Sequence, residues 1–365
     1  MEHAEEYAWS GEGEGAEVLV YAPDETAAQR AFDRTLPAAF LPSVQSPIFA
    51  AASADDFGYV AVSETHVAPD LISPPSRRLF LVADATAENL GMSLGDVHDL
   101  VLRGLAEAGP SLPSRNEAGI RRYCEEGAAA TAEDGLIEED DLAHLAPVEG
   151  DPDALGRRAL AAGSRDWDGR FGLDVAVVGE VLDTQGAEVL DLRPGMLAFT
   201  VRVDGGDLGR LTLSLHRDRI FTRIRAGVDL GADEDLPAAP ADSEEAEDLT
   251  AAVRAASNLV DARAARAAYA LRRVLRDLAG GLDLRASWRV GGFEERDGLL
   301  IHRRNLAAVG EGGPLISGGT VAAGTGKMWW SAPTFGVPEE EGRWPWEEAG
   351  LLGRWAVLDP AGGES

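Results

Sequence analysis

The sequence predicts an α+β fold: a single large domain in which mixed and antiparallel sheets are covered by helices, one of them long. Three observations predict it. Strand-like and helical stretches follow one another without the regular alternation of a doubly wound sheet. The stretches "GLDVAVVGEVLD" and "GMLAFTVRVD" alternate apolar and polar residues, as half-buried strands do. And "SEEAEDLTAAVRAASNLVDARAARAAYALRRVLRDLAGG" reads as one unusually long helix.

Taken in order, "AEVLVYA" is a strand, and "PDETAAQRAFDRTL" is a helix capped by Asp24. "GYVAVS" and "RRLFLVAD" are short strands. "SLGDVHDLVLRGLAEAG" is a helix with Ser93 as cap and Asp96 three residues on, close to a capping box. "NEAGIRRYCEEG" is a further helix. "DPDALGRRALAAG" is another, with Asp at the cap, Pro in the first turn and Gly163 at the end. After the two alternating strands, "GRLTLSLHRDRIFTRI" also alternates and reads as a third. "GVDLGADEDLPAAPADSEEAED" supplies an acidic linker at about residues 230–242. Ser243 caps the long helix, acids fill its first turn, arginines crowd its last, and Gly280 and Gly281 stop it; this charge order suits the helix dipole. At ~1.5 Å per residue it spans roughly 50 Å. "LRASWRVGGFEE" and "LLIHRR" read as two strands joined at an Asp-Gly turn. The expected domain runs from residue 16 to 357, with flexible ends at 1–15 and 358–365.

The chain has 365 residues, 33 Lys and Arg against 63 Asp and Glu, and a formal net charge of -30. Such a field repels nucleic acid at long range, so any contact with RNA or a nucleotide has to be local, through a concentrated basic patch. Lys327 is the only lysine; arginine carries the remaining positive charge. Cys124 is the only cysteine, which excludes an internal disulfide and a four-cysteine zinc site. The opening "MEHAEEYAWSGEGEGAE" lacks the basic and apolar regions of a signal peptide, and no stretch approaches ~18 uninterrupted apolar residues. A cytoplasmic protein with no membrane partner is the expectation.

Two glycine-rich motifs fail on spacing. "GGTVAAGTGKMWW" has Val321 where a phosphate loop needs its first glycine, and Met328 follows Lys327 where Ser or Thr belongs. "GEGEG" near the N-terminus follows no strand. The six histidines, His3, His66, His98, His144, His216 and His302, share no metal-ligand spacing. "DGLLIHRRNLAAVGEGGPLISGG" is more informative. At a strand end His302 and Arg304 share one face and Arg303 takes the other. Arginine forks followed by a glycine-rich loop suit an anion such as phosphate. The plainer alternative pairs these arginines with Glu294 and Glu295 across the hairpin.

From Gly150 onward the order of segments resembles the RtcB family of RNA-splicing ligases. "GDPDALGRRALAAGSRDWDGRFGLDVAVV" is similar to the family stretch ending in G-N-H-F-L-E-V. "GMLAFTVRVDGGDLGR" is similar to the strand leading into V-H-T-G-S-R-G-L-G. The long helix is similar to the one carrying S-E-E-G and A-A-A-N-x-A-x-A-N-R. "GFEERDGLLIHRRN" is similar to the hairpin ending in V-H-R-K-G, and "GGPLISGGTVAAG" to P-V-L-I-P-G-S-M-G-T. Nearer the start, "LVYAPDE" resembles V-Y-A-D-E. The colinear series covers much of residues 16 to 335.

The resemblance implies an ancestral reaction: the joining of 3′-phosphate or cyclic-phosphate RNA ends to 5′-hydroxyl ends with GTP and manganese, as in tRNA splicing and RNA repair. It also exposes the departures. The family's metal-binding D-I-N-C-G-V-R has no Asp-x-x-Cys in "DLISPPSRRLFLVAD". G-N-H reads Gly169-Arg170-Phe171, and V-H-T reads Val201-Arg202-Val203. A-H-N falls near "SWRVGG". C-H-G-A-G-R, whose histidine accepts GMP, has no counterpart in "PTFGVPEEEGRWPW". Manganese needs imidazole, thiolate and carboxylate ligands, and a guanidinium cannot ligate a metal.

The expectation is therefore a divergent, catalytically inactive homologue with no catalytic residue, no metal site and no cofactor of its own. It keeps at most a cleft for a phosphate, nucleotide or RNA end. Its candidate residues are His302, Arg303, Arg304, Ser317, Gly318, Gly319, Thr320, Arg170 and Arg202. Two alternatives stand beside it. One is an active ligase or metal-dependent enzyme in which Asp166, Asp168, Asp174, Asp204 and Asp207 replace the lost ligands. The other is a protein-binding subunit that partners a complete ligase paralogue through the Trp-rich tail with Trp329, Trp330, Trp344, Trp346 and Trp355; these tryptophans equally suit a core.

Overall fold

A computed structural model describes residues 2–5, 8–13, 15–22, 24–52, 57–108, 112–114, 116–163, 171–181, 191–232, 234–279, 281–296, 298–305, 315–316, 328–332 and 353–360. In chain order the strands are β1 (Glu2–Glu5), β2 (Ala8–Glu12), β3 (Glu17–Tyr21), β4 (Ile48–Ala52), β5 (Phe57–Ser63), β6 (His66–Val67), β7 (Ser76–Thr86) and β8 (Phe171–Val181). They continue with β9 (Met196–Asp204), β10 (Ala239–Pro240), β11 (Leu282–Arg289), β12 (Gly292–Arg296), β13 (Leu299–Arg304), β14 (Leu315–Ile316), β15 (Met328–Ala332) and β16 (Gly353–Pro360). The α-helices are α1 (Glu25–Thr35), α2 (Ala87–Leu90), α3 (Leu94–Ala108), α4 (Glu117–Glu126), α5 (Ala128–Glu133), α6 (Arg157–Gly163), α7 (Gly206–Arg225) and α8 (Glu244–Ala279).

The fold is α+β, as the sequence predicts. One sheet runs β1-β2-β3-β4-β5-β13-β12 and is mixed, because β3 and β4 are parallel. The other runs β11-β7-β9-β8-β16-β15-β14 and is antiparallel throughout.

Helix α8, 36 residues long, is the hub. Val260, Ala264, Ala268 and Leu271 pack on Leu79, Leu81, Phe199 and Val201 of the second sheet. Another side, with Ala252, Ala255 and Leu259, meets Ile120, Tyr123 and Leu160. Leu249 and Val253 meet Ile72, Leu213, Phe293 and Leu300, which reach the first sheet. A helix surrounded in this way needs short side chains where neighbours come close, which explains its alanines. Ser243 caps it, with Oγ accepting from Ala246 N at 3.3 Å.

The local signals at other helix starts hold too. Asp24 accepts from Ala27 N at 2.8 Å, and the Ser93 hydroxyl reaches the Asp96 carboxylate at 2.7 Å while accepting from Asp96 N at 3.1 Å.

Four readings of the sequence need correction. "GRLTLSLHRDRIFTRI" is not a strand but most of α7. The Leu-Thr-Leu-Ser-Leu run has period two, yet the buried positions are Leu208, Thr212, Leu213, His216 and Ile220, which follow the helical period. Gly206, at φ +57°, turns the chain out of β9 with its N–H on the Asp204 carboxylate at 2.9 Å. "DPDALGRRALAAG" is two pieces, a 3₁₀ turn Pro152–Leu155 and then α6, separated at Gly156 with φ +79°. "LRASWRVGGFEE" is two strands: β11 lies in the second sheet and β12 in the first, with the switch at Val290–Gly292. The acidic linker contributes β10, which pairs with β6 and buries Leu236, Ala238 and Ala239.

Candidate functional site

The hairpin exit is built on β13, which lies between β5 and β12 rather than at an edge. That position pairs both of its edges, and the burial of Leu300, Ile301, His302 and Arg303 in succession shows that both of its faces are covered as well. His302 is 1% exposed; Nε2 accepts from Ala68 N at 3.1 Å, Nδ1 donates to Leu300 O at 3.2 Å, and the ring meets Phe293 edge-on. Burial holds its pKa down at about 4, so it is a neutral imidazole with both nitrogens engaged. Arg303, 2% exposed, forms an ion pair with Glu294 on the neighbouring strand. Neither residue presents a donor to solvent. This corrects the sequence-based grouping: His302 and Arg303 are structural, and the cross-hairpin pairing weighed above is realised with Glu294.

Arg304 differs. It is exposed, and its Nη1 donates to the backbone carbonyl of Asp70 at 3.3 Å. It also lies against the Tyr59 phenol, whose pKa burial pushes up to about 12 while Arg304 opposes the shift. The Asp70 carboxylate is taken by Arg217 of α7, whose Nε stands 2.8 Å from Oδ2 and 3.0 Å from Oδ1. Arg217 and Arg225 flank Phe221 at 5.8 Å and 5.4 Å from the ring centroid. Two guanidiniums, Arg304 and Arg217, thus converge on one residue, and only one of them has its carboxylate.

The segment 73–76 ties this exit to the second sheet. Ser73 N donates to Arg303 O, and Ser73 Oγ accepts from Asn305 N. Pro75 O accepts from Gly205 N at the end of β9, and Ser76 O from Val290 N. The end of β9 and the end of β13 therefore lie along one extended connection. Arg202 is on β9, exposed, with Nη2 3.4 Å from Asp174 Oδ1. Arg170, Ser317, Gly318, Gly319 and Thr320 lie outside the described residues, as do Asp166, Asp168, Trp344 and Trp346.

The other histidines have local roles. His66 bridges Thr65 Oγ1 and Leu230 O, and His216, buried on α7, meets Ala154 O. Burial lowers the pKa values of His144 and His216. Of the aspartates that could hold a hard metal, Asp174 faces Arg202, Asp204 accepts from Gly206 N and Asp207 pairs with Arg210. Among the described residues no three His, Cys, Asp or Glu side chains gather into a metal-binding group.

Sequence reasoning missed the polar interior around α8. Asp261, 1% exposed, accepts from Arg77 Nε at 2.6 Å and from Arg289 Nη2 at 2.9 Å. Arg272 grips Asp141, and Asn258 donates to Cys124 O, Glu125 O and Val148 O while accepting from Val148 N. The available signal was Asn258 and Asp261, three apart within an alanine-rich helix: polar residues on a buried face must bring partners. No protein-family model matches this chain, and no curated protein matches it significantly.

Proposed function

We propose that the protein is a divergent RtcB-like homologue that has given up catalysis and binds a phosphate-bearing ligand, a nucleotide or an RNA end, through a local basic cleft. The observation that carries this reading is Arg304. In a chain of net charge -30, its guanidinium faces solvent beside a second arginine while its described partners are a backbone carbonyl and a phenol. A surface rich in carboxylates would ordinarily neutralise such a group; an incoming phosphate can do so here. Arg202, at the position of the family's V-H-T histidine, supports the non-catalytic half of the reading, since it is a cation and cannot ligate one.

The test has two arms. Incubation with GTP and manganese is expected to leave the protein's mass unchanged and 3′-phosphate and 5′-hydroxyl RNA ends unjoined; a mass gain of one GMP would overturn the non-catalytic reading. Titration with GMP and with a 3′-phosphorylated oligoribonucleotide is expected to show binding that weakens as salt rises and falls roughly tenfold or more in Arg304→Ala. Unchanged affinity in that variant removes the hairpin exit from the site.

A further inference from the structure

The C-terminal half of α7 and the start of α8 enclose a cavity of about 640 Å³ that the phosphate-binding reading does not use. His216, Arg219 and Arg223 recur every three or four residues and share one face of α7. Glu244 and Asp248, four residues apart, face them from α8, with Glu245 beside them. Two ion pairs span the gap: Arg219 Nη1 stands 3.2 Å from Asp248 Oδ2, and Arg223 Nε stands 2.8 Å from Glu245 Oε1. Both guanidiniums are thereby taken, and two carboxylates are left over. Among the described residues Glu244 has no ion pair or side-chain hydrogen bond, and the Asp218 carboxylate has only Arg217 Nη1 at 3.7 Å. That arginine already serves Asp70 through Nε.

Surplus acids are ordinary in this chain; His216 is not. It lines the cavity although it is only 1% exposed, and Nε2 donates to Ala154 O at 3.0 Å. That bond fixes the tautomer, so Nδ1 carries a lone pair. Burial keeps the ring neutral, and the lone pair stays free of a proton. No described group donates to Nδ1, and it is not one of the partnerless side-chain atoms shut off from solvent. The acceptor therefore opens on the cavity and calls for a ligand that brings an N–H or O–H. A phosphate dianion has none to bring. A metal ion does not fit either, because among the described residues no three His, Cys, Asp or Glu side chains gather to hold one. An ammonium supplies three donors and a positive charge for the surplus carboxylates. Leu215 and the Thr222 methyl group offer apolar surface to a hydrocarbon arm, and the volume falls within the about 300–1,000 Å³ of small-molecule sites.

We infer that the cavity between α7 and α8 binds a small aliphatic diamine or polyamine, with an ammonium donating to His216 Nδ1 and the carboxylates of Glu244 and Asp218 neutralising its charge. The site shares no residue with the hairpin exit and stands or falls independently of the phosphate-binding reading.

The experiment uses the full chain with putrescine as the probe, followed by calorimetry and by nitrogen NMR of the histidine rings, on wild type, His216→Gln, Glu244→Gln and Glu107→Gln. His216→Gln keeps an amide donor for Ala154 O and removes the ring acceptor. Glu244→Gln keeps the side-chain volume and removes one surplus charge. Glu107, exposed on α3, gives the same loss of charge away from the cavity. Glu244→Gln and His216→Gln are each expected to weaken putrescine binding by roughly tenfold, and Glu107→Gln to leave it unchanged. The Nδ1 resonance of His216, assigned from the α7 backbone, should move upfield on binding as its lone pair accepts a proton donor. A structural histidine has no reason to respond in this way. Putrescine that merely condenses on the net charge of -30 would lose affinity equally in Glu244→Gln and Glu107→Gln and leave the Nδ1 resonance where it was. That result overturns the inference, and so does a wild type that binds no putrescine. Butanediol, the neutral analogue of the same length, should not bind; binding as tight as that of putrescine would show that the cavity does not read charge and would overturn it too. Glu244 is exposed, so Glu244→Gln and the wild-type resonance keep the test decisive even if His216→Gln fails to fold.

Discussion

His302 shows what a strand position does to a residue with catalytic potential. Between β5 and β12 it has no water to lean on, so both ring nitrogens are spent on Ala68 N and Leu300 O. Its pKa falls to about 4 because burial penalises the charged ring. The unfolded chain, with an ordinary histidine pKa near about 6.5, takes up the proton first as pH falls. The folded state therefore loses stability through this residue between about pH 6.5 and about pH 4, by up to about 3 kcal/mol, and loses nothing above that window. His302→Gln, which keeps an acceptor for Ala68 N, removes this titration. Denaturant midpoints from pH 4 to 7 should fall more steeply for wild type than for the variant, and parallel slopes would refute the assignment. At this scale the sequence was half legible. Strand alternation puts His302 and Arg304 on one face and Arg303 on the other; the first two meet Ala68 N and Asp70 O, and Arg303 meets Glu294. Depth within the sheet was not legible, because it depends on β5, more than 230 positions earlier, pairing with β13.

Among the elements, α8 sets the tolerances of its surroundings. Gly150 passes so close to it that a Cβ would stand 2.8 Å from Ala255 Cα and from Arg254 C. Both are helix backbone and cannot rotate away. Gly150→Ala is expected to cost about 1–3 kcal/mol, read as a lower denaturant midpoint at an unchanged slope; a midpoint equal to wild type would mean that the loop moves freely against the helix. The long helix was legible because its cap, first-turn acids and apolar face agree with one another. The strand assigned to α7 failed for the opposite reason. A five-residue alternation of leucine with Thr and Ser satisfies both periods, and what decides it is distant: the packing of Leu208 against α8 and of Leu213 and Ile220 around Ile72. The switch of sheets between β11 and β12 was hidden likewise. Its cause is the segment 73–76, which binds Val290 N with one carbonyl and Gly292 N with another.

For the whole molecule, the charge of -30 acts on folding and on binding in opposite senses. Folding concentrates 63 carboxylates against 33 cationic side chains, and the surplus repels itself. The surface ion pairs, such as Arg219 with Asp248 and Arg223 with Glu245, relieve this only locally and each contributes little. The buried ones, Asp261 with Arg77 and Arg289, are shielded from solvent. Raising sodium chloride from about 0.1 M to about 1 M shortens the screening length from about 10 Å to about 3 Å. That removes most long-range repulsion and leaves the buried pairs intact, so the melting temperature should rise. Phosphate affinity at Arg304, which is exposed, should fall over the same range, because its attraction for an anion is screened as well. Thermal melts and phosphate titrations across one salt series check both slopes. A melting temperature that falls with salt would mean that surface pairs outweigh the net repulsion. An affinity that ignores salt would mean that whatever binds is not held by that guanidinium. Opposite slopes in one series separate a local cationic site from the general behaviour of an acidic chain, which salt alone stabilises.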